Sequence, residues 1–406
     1  MPAATAQEGA TDVAVPGPSP AGAGHLLRRP SFLAVNAGYL AATTAESLLA
    51  PVLPLASREL RLSVGDAGLA LACLAAAIAV GNLAGGVALV RLGPRAGTVA
   101  PLLVAAAAAA MVSIVQGRAA FLAGQALVGL GTGGFFASGL YAAGAMAGPG
   151  RRGTAMGLFG ISFSAGLALA ALLAAAAGER SWRLAFLVSA LVSLAAAATL
   201  ALVDLPGRPD APGSGRRGSL RRLLGVPLAV GGTAAASQYG TVSFLPTFAV
   251  AVWGLSPQAA AAWLGVARGL SIAAKLLAGN RTDRRGARAT AARTGLLLAA
   301  AGLAWTLLPA PWAALAAALV FAAAVSALGP VANTLALQGF GGRGALLGVF
   351  RSAQIAVGSV ASAAIGAAAS HVGLRPTLLV AAALPGALAL IERRARGHRP
   401  PAVPAG

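Results

Sequence analysis

Between residues 32 and 391 the chain is a succession of apolar stretches, parted by short segments that hold most of its arginines. A helix needs about 20 residues, at about 1.5 Å rise each, to cross a hydrocarbon core roughly 30 Å thick. Twelve stretches reach or approach that length, at 32–55, 67–90, 98–115, 121–146, 154–177, 184–203, 224–250, 259–279, 289–308, 312–337, 345–369 and 376–391. Inside lipid each backbone N–H and C=O must find its partner within the protein, and single apolar segments achieve this only as helices. The pattern predicts an all-α integral membrane protein with about twelve transmembrane helices.

Composition excludes the soluble alternatives. Hydrophobic residues make up 58% of the chain and charged residues 10%, whereas a soluble domain carries about a quarter of its residues as charges. Mean hydropathy is +0.80. The formal net charge of +20 would suit nucleic acid if it formed a basic face with stacking aromatics. The basic residues instead sit in small clusters between apolar runs, so nucleic acid is not an expected partner. Cys73 is the single cysteine and the histidines, His25, His371 and His398, are scattered. Neither a disulfide framework nor a zinc site follows from them, and no cofactor is expected. The chain has no phosphate-binding loop to hydrolyse ATP and no acid or histidine cluster of an enzyme.

The arginines also orient the chain, because cytoplasmic loops carry the excess of Lys and Arg. With both termini inside, 21 of the 30 basic residues fall on the cytoplasmic side and 6 outside, leaving Arg268, Lys275 and Arg351 within spans. The expectation is a multi-pass protein of a bacterial inner membrane, probing neither side with a large domain. Residues 1–31 read as a disordered cytoplasmic tail and 392–406 as a second tail. Residues 204–223, with Pro206, Pro209, Pro212 and five arginines, read as a cytoplasmic linker. It separates six-helix units at 32–203 and 224–391.

The two units share more than hydropathy. Gly86-x-x-x-Val90-Arg91-x-Gly93-x-Arg95 follows the second stretch, and Gly279-x-x-x-Asp283-Arg284-x-Gly286-x-Arg288 follows the eighth, at an offset of 193 residues. Arg152-Gly153-x-x-x-Gly157-x-Phe159 recurs as Arg343-Gly344-x-x-x-Gly348-x-Phe350 at an offset of 191. Two matches at nearly one offset imply duplication. On these motifs the chain resembles the major facilitator superfamily, as it does in Trp182-Arg183-x-x-Phe186 at the start of the sixth stretch. The resemblance implies two pseudo-symmetric six-helix bundles and a secondary transporter. It also implies a gating role for the loops bearing Gly86, Arg91, Gly93 and Arg95 and, in the second copy, Gly279, Asp283, Arg284, Gly286 and Arg288. The glycines would permit tight turns and close helix approach, and Asp283 would engage the arginines when that side shuts. The first copy departs from the family with Val90 in place of the acid. Gln125 stands where the family's fourth helix often has Arg, and the fifth stretch lacks the Gly-Pro element common in drug antiporters.

A charge at mid-membrane costs about 3 kcal/mol or more, which makes each such residue a functional candidate. Glu46, about 21 Å into its helix at 1.5 Å per residue, is the one acid well inside a span and the candidate for proton coupling. A hydrogen bond to a neighbouring helix is its structural alternative. Arg268, about 16 Å from its cytoplasmic end, and Arg351 are candidates for an anionic group, while Lys275 reads as a residue that snorkels to the interface. The resemblance assigns the cavity to the first, fourth, seventh and tenth helices. There it adds Asn36, Tyr39, Gln125, Tyr141, Gln238, Tyr239 and Asn333 as substrate-binding candidates, each of which could equally be an interhelix hydrogen bond.

The expected function is proton-coupled export of small amphipathic or drug-like compounds by alternating access, from a monomer. Uptake of an organic anion or other small metabolite is the alternative.

Overall fold

The computed structural model describes residues 26–147, 152–177, 181–207, 225–340 and 344–390. Among them the helices form twelve segments. The first six are α1 (Pro30–Glu59), α2 (Val64–Leu92), α3 (Pro94–Ile114), α4 (Arg118–Ala147), α5 (Arg152–Ala177) and α6 (Trp182–Leu202). In the second set, α7 is built of Val226–Ala235, Ala236–Val242 and Ser243–Trp253, and α8 is Pro257–Arg285. Then come α9 (Ala287–Leu307), α10 (Pro311–Phe340), α11 (Gly344–Val372) and α12 (Leu374–Leu388). Nine of the described helices are long and apolar enough to cross a membrane. The other three are α7, which is broken, α9, which opens on Arg288 and Arg293, and the short α12.

Local chemistry sets the ends. Ser63 caps α2 by accepting from the Asp66 backbone N–H at 3.1 Å while the Asp66 carboxylate accepts from the Ser63 N–H at 3.0 Å, a reciprocal cap that satisfies two orphan donors. Pro30, Pro94 and Pro257 open their helices where a missing N–H costs nothing. At the opposite ends of α2 and α8 stand Gly93 and Gly286, with φ of 89° and 82°. Each is the single residue between two helices, a turn that favours glycine because a Cβ is strained at positive φ. These are equivalent positions of the repeated motif, so the duplication seen in the sequence is a duplicated turn in the structure.

Small residues let the helices approach. A Cβ added to Gly85 would lie 2.2 Å from the Gly134 carbonyl oxygen, which ties α2 to α4 backbone to backbone. Many large apolar side chains remain on the outside, among them Leu202, Leu276, Val360 and Trp312. A water-facing protein would hide such a belt, whereas lipid accommodates it.

The halves meet along α2 with α11 and α5 with α8, and through the Leu49–Glu59 part of α1 with the Ser243–Trp253 part of α7. At the end of the bundle away from Pro30 and Leu388, a Cβ on Gly68 would stand 2.5 Å from the Gly366 Cα. Further in, the Ser359 hydroxyl donates to the Ala72 carbonyl at 2.8 Å and Ser352 to Ala79 at 3.4 Å. Among the described residues, no hydrogen bond or ion pair joins the halves nearer the terminal end than these middle contacts. Gly86 and Gly279, expected to serve close approach, have open space where a Cβ would be. The structure is therefore closed at the far end, with its cross-half bonds confined there and to the middle.

Candidate functional site

The middle of α7 is wound as a π-helix over Ala236–Val242. The extra residue per turn loosens the ladder, and the Ser243 hydroxyl donates into it, reaching the Gln238 carbonyl five residues back at 3.0 Å. Such bulges recur at functional sites because they re-aim side chains that a regular helix would hold elsewhere. Here the bulge carries Gln238 and Tyr239.

Tyr239 reaches across the seam between the halves. Its hydroxyl donates to Glu46 Oε1 at 2.6 Å. Glu46 is 6% exposed, and its Oε2 is buried without a partner among the described residues. Gln238 points to the other cation: its Oε1 accepts from Arg268 Nη1 at 2.8 Å, and Arg268 is 3% exposed. Arg268 and Arg351 both act on Glu46 through space, yet neither forms an ion pair with it. Arg351 is half-buried on α11 and has no hydrogen-bond partner among the described residues.

A second group adjoins the first. The Tyr39 ring stacks on Phe159 at 3.7 Å and 5°, meets Phe136 edge-on at 5.3 Å, and tilts against Phe163 at 5.6 Å. Lys275 Nζ sits 4.9 Å over the Phe163 ring and donates to Ser164 Oγ at 2.8 Å. Lys275 does not snorkel to the interface. It spans from α8 to α5 and lies within electrostatic reach of Arg268 and Arg351.

Of the residues singled out in the sequence, the structure brings together Tyr39, Glu46, Gln238, Tyr239, Arg268 and Arg351. The others lie apart. Asn36 is occupied within its bundle: it donates to the Phe32 carbonyl at 2.8 Å and accepts from Ser162 at 2.9 Å. The Tyr141 hydroxyl donates to the Gly207 carbonyl at 2.9 Å, near the terminal end. Gln125 is fully buried with both amide atoms unpartnered among the described residues, and Asn333 is half-buried on α10. No hydrogen bond among the described residues joins either of them to the cluster.

In the loop after α2 Arg95 Nη2 donates to the Val203 carbonyl at 3.1 Å and lies 3.9 Å from Asp204, so it is tied within its own half. Arg91, Arg284 and Arg288 are exposed or nearly so. The Asp283 side chain lies outside the described residues, as do Arg343 and the linker from residue 208.

The residues that single-position reading missed are Phe136, Phe163, Ser164 and Lys275. Phe159 was within reach, since it ends the repeated Arg-Gly motif. Its counterpart Phe350 is buried, and its ring would lie 2.9 Å from a Cβ on Gly231 of α7. The motif phenylalanine thus packs on the first helix in one half and on the seventh in the other.

The Trp182-Arg183 signature closes the far end of the first bundle. The Trp182 indole N–H donates to Glu59 Oε2, and Arg183 donates to Glu59 Oε1 at 2.6 Å and to the Val115 carbonyl. In the second bundle Arg375 donates to the Thr306 carbonyl at 2.9 Å. An arginine at the start of the last helix thus covers the open carbonyls at the end of the third helix in both halves.

A family model described as Major Facilitator Superfamily matches residues 35–362. No curated relative matches the chain significantly. Among solved structures the chain is similar to a bacterial homolog of the human lysosomal transporter Spinster in an inward-facing and occupied conformation. That pair is 15% identical with a TM-score of 0.78, covering 95% of this chain and 100% of the other. It is also similar to a D-xylose-proton symporter, at 17% identity and TM-score 0.70 over 89% of this chain and 96% of the other. A nucleoside transporter gives 13% identity and 0.70 over 91% and 100%. At these identities the likeness establishes a shared fold.

Proposed function

The chain belongs to the major facilitator superfamily, and from that premise we propose that it is a proton-coupled secondary transporter of small amphipathic compounds, working by alternating access. Its six-helix halves rock about the cluster on α1, α7, α8 and α11, and Glu46 binds and releases the coupling proton. One observation carries the reading: Glu46 holds Tyr239 of the other half through one oxygen while its second oxygen is buried without a partner among the described residues. A buried carboxylate charge in that state is costly, and a proton on the free oxygen removes the charge.

The far-end closure supports an inward-facing state, and the Spinster homolog it resembles was captured inward-facing. In an inward-facing state the loops that follow α2 and α8 part. Their arginines and Asp283 are positioned in sequence to engage when the inner side closes. The chain acts as a monomer in the inner membrane, with both termini in the cytoplasm.

Export is the direction we assign to an amphipathic substrate that competes with the proton at Glu46. Uptake is the second reading, and the excess of cations around Glu46 favours it for an organic anion. Reconstituted vesicles test both: an inward-acid gradient that drives substrate against the proton supports export, and one that drives substrate with the proton supports uptake. Transport indifferent to the gradient would remove proton coupling from either reading.

A further inference from the structure

We propose that the central site binds an amphipathic organic anion, with a carboxylate-type head among Arg268, Lys275 and Arg351 and a flat apolar body against the half-buried Phe136 and Phe163 rings. The inference rests on the transporter reading and names the substrate class for that site.

Two arginines, Arg268 and Arg351, lie within reach of one carboxylate, Glu46, and a lysine, Lys275, lies within reach of both arginines. None is neutralised by an ion pair among the described residues. Arg268 spends one donor on the neutral amide of Gln238, and Lys275 spends one on the neutral hydroxyl of Ser164. The Arg351 guanidinium makes no hydrogen bond among the described residues. Even with Glu46 ionised, two positive charges stay uncompensated in a setting of low dielectric, where like charges repel strongly. An anion relieves that repulsion and a cation adds to it. A guanidinium fork with free donors also fits the two oxygens of a carboxylate.

The wall beside the cations fixes the rest of the ligand. Phe136 and Phe163 are half-buried and both pack on the buried Tyr39 ring, at 5.3 and 5.6 Å, and Lys275 lies 4.9 Å above the Phe163 ring. A small hydrated anion would leave the aromatic wall unsatisfied. A body with its own flat apolar surface covers it, and aromatic pairs add geometry-specific attraction to the area they bury. The cations repel an aromatic amine of the same body, although the rings alone would attract it.

The experiment uses three probes of one shape on the full chain in lipid nanodiscs: 2-naphthoate, its neutral methyl ester and 2-naphthylmethylamine. Calorimetry is expected to give naphthoate at least about tenfold tighter than the ester, with the amine weakest. Arg351→Gln should remove roughly tenfold of the naphthoate affinity and leave the ester unchanged within about twofold. Phe136→Ala should weaken naphthoate and ester alike. Lys275→Gln repeats the charge test if the arginine variant does not fold by size-exclusion profile. Equal affinity for the three probes, tighter binding of the amine, or no naphthoate binding at millimolar concentration overturns the inference. The transporter reading is scored separately, by gradient-driven flux of any compound: flux of the ester with no effect of naphthoate would sink the anion class and leave the transporter standing.

Discussion

Glu46 and Tyr239 are 193 residues apart, the same spacing that separates the two copies of the glycine and arginine motif, and their side chains meet in a 2.6 Å hydrogen bond. The motif offsets, 193 and 191, place them within about two residues of corresponding positions of the two repeats, one acid and one phenol, facing each other across the seam. Equivalent residues of a pseudo-twofold pair touch only where they lie close to the axis that relates the halves. When two bodies rock about such an axis, contacts near it change least, whereas those at the far end, such as Gly68 against Gly366, must open.

Removing the phenol tests this placement. Tyr239→Phe should leave Glu46 Oε1 without its donor and lower stability by roughly 0.5–2 kcal/mol, the range for hydrogen bonds between membrane helices. The pH profile of transport should move as well, because the bond favours one protonation state of the carboxyl. Denaturation in detergent reads the first effect and vesicle flux at several pH values the second. A profile that coincides with the parent's would separate Tyr239 from the coupling group.

Filling the far-end contact should shift the conformational balance. A Cβ on Gly68 has no room against Gly366, so Gly68→Val should disfavour the state closed at that end. Spin-label distances across the terminal ends of α2 and α8 should shorten in this variant. Gly269→Ala is the control, since its Cβ would meet open space, and it should leave the distances as they are.

The repeated arginine contacts should have repeated energetics. Arg183→Ala and Arg375→Ala each expose helix-end carbonyls, and each should cost about 1 kcal/mol of stability. The ion pair of Arg183 with Glu59 is partly exposed and adds little to this. A thermal-shift comparison checks the pair. A loss confined to Arg183→Ala would locate the effect in Glu59 and Trp182, which Arg375 lacks.

Arg268→Ala should weaken an anionic substrate far more than a neutral one of the same body, by roughly tenfold or more. Equal losses in a competition assay would make Arg268 a support for Gln238 and no more.

How much of this was legible in the sequence depended on what each residue type costs in lipid. Glu46 and Arg268 stood out because a charge in an apolar run is expensive and therefore rare. Gly93 and Gly286 stood out because the motif repeats at one offset, and the same offset applied to Glu46 lands on Tyr239. Phe163 and Phe136 did not, since an aromatic residue in a membrane helix faces lipid as readily as a cavity. The long stem of Lys275 permits snorkelling, and only the packing of α8 on α5 supplies Ser164 and Phe163 as partners. Tyr141 lies far along a 30-residue helix, where it meets the chain beyond α6. The π-helix in α7 was hidden for a different reason. Its Ser, Gly and Thr suit a regular helix no less well, and the loosened turn follows from tertiary packing.

Proton movement across reconstituted vesicles, followed with a trapped pH dye as substrate is added, tests the coupling most directly. The parent protein should move protons when substrate moves, and Glu46→Gln should bind substrate yet move none. Substrate-driven proton movement in Glu46→Gln equal to the parent's would contradict the central role given to that carboxyl.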